Sequence, residues 1–273
     1  MKKTSLQAFE IQKYVKGERQ FINDLLSVEE PLGIKIRHQN ELHDISVTMR
    51  TPGNDDCLSL GFLFTEGIIQ DFQDVVKIEE NTEDSNVTIE LRSELNWQKD
   101  KLQRNFYTTS SCGVCGKASI DAVKLACPIV VPQKKWTVAS SILLGLPQKM
   151  REVQESFEFS GGIHASALFS LDGLLLEIKE DVGRHNALDK LIGSQLMKRR
   201  IPLFEHILIL SGRGSFELIQ KAAMSGIRFV ACVGAPSSLA VELAEEYDIT
   251  LVGFLKDARY NVYTGFDRVD FNQ

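Results

Sequence analysis

The sequence predicts an α/β protein in which a mostly parallel sheet, covered by helices in a three-layer core, follows a smaller α+β portion rich in antiparallel strands. Three observations carry this expectation. The runs Ile207–Leu210, Phe229–Val233 and Thr250–Phe254 are continuously apolar and alternate with helical segments, the pattern of strands buried on both faces. Leu32–Arg37 and Asp44–Met49 instead alternate apolar with polar, as half-buried strands do. Finally, 273 residues with 43% hydrophobic and 25% charged content are enough for one large domain or a large one with a small one.

Up to about residue 105 the pattern is mostly strand. Val75–Ile78 and Val87–Leu91 form a hairpin around the polar stretch 79–86, and Asn54 is placed to cap a helix over Asp55–Glu66. Cys57, near the start of that helix, reads as a small packed residue. Ser93–Arg104 reads as a loop and Phe106–Thr109 as a strand, with a helix starting near Lys117; Cys127, before Pro128, reads as packing. An amphipathic helix is expected from Leu146 to about Phe159, ending before Ser160-Gly161-Gly162. Ile163–Phe169 and Leu174–Ile178 make a hairpin at Asp172-Gly173. The segment Glu180–Asn186 then leads into a helix to about Arg199, and further helices span Phe216 to about Met224 and Ser238 to about Tyr247. The expected division is 1–105 and 106–273.

Several function classes are disfavoured. A net charge of −6 argues against nonspecific affinity for nucleic acid or anionic membranes. The basic first residues have no apolar stretch behind them, and no run is long enough to span a bilayer, so a cytoplasmic location is expected. Five cysteines, scattered except for one pair, do not make a disulfide framework.

That pair lies in Ser110-Ser111-Cys112-Gly113-Val114-Cys115-Gly116. Cys112 and Cys115 can face one reactant, flanking glycines leave the backbone free, and a following helix together with Lys117 favours thiolate over thiol. A structural zinc ribbon wants a second Cys-x-x-Cys, which is absent. A nucleobase-deaminase zinc site wants His-x-Glu before Pro-Cys-x-x-Cys, but Ser111 replaces the proline and His164, which comes later in the chain, is followed by Ala165-Ser166. A thioredoxin-like pair would follow the first strand of a small domain, not lie mid-chain. What remains is a thiolate that accepts and passes on sulfur.

In an open parallel sheet, ligands bind beyond the carboxyl ends of the strands. Those ends carry Ser211-Gly212-Arg213-Gly214-Ser215, Gly234-Ala235-Pro236-Ser237-Ser238, and Lys256 with Arg259. Two are small-residue turns opening a helix, where free amides and the helix dipole favour an anion, and Arg213 adds a charged fork. His164 and His185 are either satisfied structural residues or ligands; Arg184, after Glu180-Asp181, either holds a ligand or pairs internally.

These residues carry a resemblance. Thr109–Gly116, Gly161-Gly162-Ile163-His164-Ala165, Glu180–Lys190 and Ser211-Gly212-Arg213 resemble the signature blocks of the formate dehydrogenase accessory sulfurtransferases, the FdhD family. Met49–Gly53, Gly61–Ile69, Ala235–Ala240 and 253–264 fit as well, in the right order from about residue 45 to 265. The resemblance implies a cytidine-deaminase-like core without deaminase chemistry. It implies transfer of sulfur from a cysteine desulfurase to the molybdenum (or tungsten) bis-molybdopterin guanine dinucleotide cofactor, before that cofactor enters formate dehydrogenase. Cys112 and Cys115 then carry the persulfide chemistry, with Cys112 favoured. The cofactor site maps onto Phe254-Leu255-Lys256-Asp257-Ala258-Arg259, joined by Gly162, His164, Arg184, His185, Ser211, Gly212, Arg213, Ser215, Ala235 and Ser237, with guanosine diphosphate as a mimic and no protein-bound metal. Ser160, Ser166 and Lys256 depart from the family pattern, where threonine, alanine and arginine are expected. A cofactor with two nucleotide arms suits a homodimer. A thiol–disulfide oxidoreductase and a non-catalytic cofactor-binding chaperone are the rival readings.

Overall fold

The structure is a computed structural model that describes residues 5–95, 97, 135–154 and 160–272. The predicted strand 106–109, the helix from Lys117, and Cys112, Cys115 and Cys127 lie outside the described residues.

An amino-terminal hairpin, β1 (Leu6–Val15) and β2 (Glu18–Ser27), turns at Lys16-Gly17, both with positive φ. The reading of the sequence gave it no strands. Its faces are mostly exposed, Phe21 and Tyr14 at 70% and 68%. A four-stranded sheet follows, in the order β4 (Glu41–Arg50), β3 (Glu30–His38), β6 (Asn86–Leu91), β5 (Val75–Asn81). The β5–β6 hairpin is as expected, but β3 and β6 run parallel, so this sheet is mixed. Helix α1 (Asp55–Thr65) begins where predicted, although Asn54 makes no side-chain cap; its Oδ1 accepts instead from Lys179 Nζ at 2.7 Å. Arg50, 1% exposed, ties β4 to α1 through Asp55, with contacts of 2.9 and 2.8 Å.

The larger sheet has the order β13 (Arg259–Thr264), β12 (Thr250–Lys256), β11 (Phe229–Cys232), β10 (His206–Leu210), β8 (His164–Ser170), β9 (Leu175–Asp181). The expectation of a mostly parallel sheet needs correction. Only β10–β11 and β11–β12 pair in parallel; β10–β8, β8–β9 and β12–β13 are antiparallel. The physical reason is local: β8 reaches β9, and β12 reaches β13, by short hairpins, and only helical crossovers produce parallel neighbours. Short β7 (Val138–Ala139) and β14 (Val269–Asp270) pair separately.

Alternate residues of the central strands serve two cores. Leu208, Leu210, Val230 and Cys232 face one side with α3 (Arg184–Met197), α4 (Phe216–Met224) and α5 (Ser238–Glu246); Ile207, Ile209, Phe229 and Ala231 face α2 (Ser140–Arg151) on the other. Helix α2 starts six residues before the predicted Leu146 and runs through Pro147. The first cluster also takes in Leu58, Leu60 and Leu63 of α1 with Ile34, Ile36 and Ile89 of the smaller sheet, so one core joins both sheets. Its tightest point is the antiparallel crossing of α1 and α3. A Cβ on Gly61 would lie 1.9 Å from the Asp189 carbonyl oxygen, and one on Gly193 would lie 1.9 Å from that of Cys57. Only glycine permits backbones this close.

Candidate functional site

Strand register gathers the predicted ligand residues. His164 lies opposite Asp181, Leu210 opposite Ser166, Cys232 opposite Leu210, and Val252 opposite Ala231. The start of β8 and the ends of β9, β10, β11 and β12 therefore share one edge of the larger sheet. Gly162, His164, Arg184, His185, Ser211 to Ser215, Ala235, Ser237 and the β12–β13 turn all belong to it. The turn residues Lys256, Asp257, Ala258 and Arg259 are exposed, whereas Leu255 is fully buried in the core beside α2, which leaves only its backbone for a ligand. The segment 254–259 is a hairpin end rather than a loop after a finished strand, because β12 runs on to Lys256.

The two small-residue turns are fastened to each other. Gly234 N donates to Gly212 O at 3.0 Å, Gly214 N to Ala235 O at 3.2 Å, Ser237 N to Gly214 O at 3.0 Å, and Phe254 N to Gly234 O at 3.1 Å. A Cβ on Gly253 would meet Pro236 Cδ at 2.6 Å, so the turns pack at backbone distance. Ser211 Oγ accepts from Ala165 N at 2.8 Å, which leaves its proton and one lone pair for a ligand.

Around this frame stand cations. The His164 ring rests on Gly212, where a Cβ would be 3.3 Å from Nδ1 and Cε1. Burial, then the charges of Arg184 and His185, hold the His164 imidazole below its ordinary range, with Asp181 opposing. Arg184 opens α3 with its Nε buried and without a partner among the described residues, and Gly183 before it supplies no side-chain cap. Ser215 precedes α4 without capping it; its Oγ instead lies 3.2 Å from Glu217 Oε2 and 3.4 Å from His185 Nε2. Among the described residues Arg184, Arg213, Lys256 and Arg259 form no ion pair. Unpaired cations beside uncapped helix starts are the arrangement that attracts a phosphate-bearing anion.

Asp181 is the opposite case, 0% exposed and accepting from Lys190 Nζ at 2.7 Å, Gly183 N at 2.8 Å, Asn186 Nδ2 at 3.1 Å and Thr51 N at 3.1 Å. It pairs internally, and it ties Thr51 of the smaller half to the start of α3.

The FdhD/NarQ family model matches residues 27–270. The chain belongs to the FdhD/NarQ family. It is 45% identical over 253 residues to "Sulfur carrier protein FdhD" of Picrophilus torridus, covering 92% of this chain and 94% of the relative. It is 47% identical over 254 residues to the protein of that name from Mycolicibacterium paratuberculosis, covering 90% and 92%. A crystal structure from Desulfotalea psychrophila, described as a formate dehydrogenase accessory protein, superposes with a TM-score of 0.76 at 21% identity, over 98% of this chain and all of the other; it shows the shared fold.

Within this FdhD/NarQ protein the described free thiols are Cys57 and Cys232, both buried and both pushed by burial up to about 12. They stay protonated and packed, as read for Cys57 from the sequence. No group of three or more metal-binding side chains occurs among the described residues, and no helix among them is long and apolar enough to cross a membrane. Glu217 was missed. An acidic residue in a first helical turn is ordinary, and only the matching spacing of His185 with Asp189 and of Glu217 with Lys221 could have singled it out.

Two half-buried imidazoles give the family member a pH signature. His164 and His206 are both held below the ordinary value of 6.5, in each case chiefly by burial. The unfolded chain therefore binds more protons as pH falls below 6.5. Stability from the neutral rings is complete above that value and is lost on acidification until the lowered folded values are passed. The urea midpoint is expected to fall between about pH 7.5 and about pH 5.5, and less steeply in His206→Gln. Equal slopes in both proteins would contradict this.

Proposed function

We propose that this chain is a sulfur carrier that receives sulfur as a cysteine persulfide from a cysteine desulfurase and passes it to the molybdenum (or tungsten) bis-guanine-dinucleotide cofactor destined for formate dehydrogenase. The relatives named sulfur carrier protein FdhD support the sulfur half of this reading. The observation that carries the ligand half is the gathering on one edge of Arg184, Arg213, Lys256 and Arg259, which form no ion pair among the described residues, in a protein whose net charge is −6. The core is proposed to be cytidine-deaminase-like, without that chemistry.

In the first step the thiolate of Cys112 attacks the sulfane sulfur of the donor persulfide. A new S–S bond forms on Cys112 as the donor cysteine leaves as a thiolate, with no net gain or loss of electrons. Cys115 is the second thiol of the pair. The diphosphate arms of the acceptor cofactor are held by the four cations, with the first-turn amides of α3 and α4 beneath them. Two such arms suit two copies of the chain.

Intact mass after incubation with a cysteine desulfurase and cysteine tests the relay. Wild type should gain about one reducible sulfur atom, and Cys112→Ala should not. Guanosine diphosphate binding tests the edge: Arg184→Gln should weaken it about tenfold, the scale of one charge-assisted hydrogen bond. No added sulfur with the nucleotide still bound would leave the chaperone. A Cys112–Cys115 disulfide needed for function, with no sulfur gained, would leave the oxidoreductase.

A further inference from the structure

Helices α3 and α4 are joined by two polar pairs, one helical turn apart on each. His185 Nε2 lies 3.1 Å from Glu217 Oε2, and Lys221 Nζ lies 3.0 and 2.9 Å from the two oxygens of Asp189. The lower pair is structural, buried in the core with Thr65. The upper pair stands at the ligand edge, at 19% and 16% side-chain exposure.

We infer that Glu217 is a positioning residue for the anion site, fixing the ring of His185 so that Nε2 carries a hydrogen and Nδ1 is the nitrogen presented to the ligand.

Three observations support it. The contacts of His185 to Glu217 and, at 3.4 Å, to Ser215 both use Nε2; Nδ1 makes none among the described residues. A ring nitrogen bonded to a carboxylate must carry a hydrogen, so Nε2 is committed to Glu217 and Nδ1 is left for the ligand, accepting from a ligand hydroxyl or N–H while the ring is neutral and donating to a phosphate oxygen when the ring is protonated. Next, burial would raise the Glu217 carboxyl, but the hydrogen bond from His185, the charge that ring carries when protonated and the hydrogen bond from Ser215 outweigh it and hold it below its ordinary range. Last, Glu217 Oε1 is buried and has no hydrogen-bond partner among the described residues. Meanwhile α3 is held in place independently by Asp181–Lys190, Asp189–Lys221 and the Gly61–Gly193 crossing, so the upper pair is not needed to join the helices.

The inference rests on the ligand half of the proposed function and has a readout independent of it. Ring-nitrogen NMR of histidine-labelled protein, with the His185 signals assigned from His185→Gln, reports which nitrogen is protonated. Guanosine diphosphate affinity and thermal stability are measured in parallel for wild type, Glu217→Ala and Glu217→Gln. The expected wild-type ring carries its hydrogen on Nε2. In Glu217→Ala that preference is lost and affinity falls about tenfold. Glu217→Gln, whose amide oxygen still accepts from Nε2, keeps the tautomer and recovers part of the affinity. An unchanged ring signature in Glu217→Ala, or affinity equal to or above wild type with the signature lost, overturns the inference. If wild type binds no guanosine diphosphate, the ligand reading fails, and the ring signature alone decides the positioning.

Discussion

Gly61→Ala is expected to destabilise the protein by ~3 kcal/mol, a large part of what holds a domain of this size together. The added methyl would sit 1.9 Å from the Asp189 carbonyl oxygen and 2.6 Å from its carbon. Neither atom can rotate away as a side-chain tip would, so α1 and α3 must separate and open the core they share. Gly193→Ala meets the Cys57 carbonyl at the same 1.9 Å and should behave alike. Gly145→Ala is the control. It lies inside α2 with nothing within 4 Å of the new Cβ, and is expected to stabilise by about 0.5–1 kcal/mol through lower chain entropy. Urea denaturation of the three variants checks this, and a Gly61→Ala midpoint at or above that of wild type would refute the close crossing.

Lys221→Met is expected to cost about 3–5 kcal/mol, because it strands the Asp189 carboxylate in the core. Burial alone would lower the Lys221 ammonium, but Asp189 and Glu66 outweigh it and hold it above the ordinary lysine range. Burial raises the Asp189 carboxyl despite Lys221. Without the lysine that carboxyl takes up a proton more readily, so the deficit should shrink as pH falls. The double variant Asp189→Leu with Lys221→Met should lose less than Lys221→Met alone. A deficit independent of pH, or a double variant worse than the single, would show that the pair does not act as a unit.

Much of the fold was legible because period and burial coincide. The runs at 207, 229 and 250 are strands of the larger sheet because each serves two cores at once, which a continuous apolar run encodes. The turn at Asp172-Gly173 was equally plain, Gly173 having φ 79. Direction was less so. Whether a neighbour pairs parallel or antiparallel depends on the connection, and the return of the chain as β13 after Lys256 looks locally like any exposed turn. Helix α2 starts at Ser140 rather than Leu146 and passes through Pro147, a residue type commoner at the first helical position than inside a helix. The amino-terminal hairpin went unread because its turn is Lys16-Gly17 rather than Asn-Gly, and its strands expose apolar residues on both faces.

At the site, the residue types were legible and their division of labour was not. His164, Arg184, Arg213, Lys256 and Arg259 share an edge because the strands that deliver them share one. Asp181 and Glu217, both acidic and both near helix starts, part company only in three dimensions. Asp181 is saturated by four donors and fixes the frame, whereas one Glu217 oxygen has no partner among the described residues.

The backbone contact between α1 and α3 has a consequence for binding. A helix wedged at that distance cannot tilt or slide by itself, so the amino end carrying Arg184 and His185 is preorganised before any ligand arrives. Little configurational entropy is lost there on association, and affinity at this end should respond to charge far more than to changes in loop flexibility elsewhere.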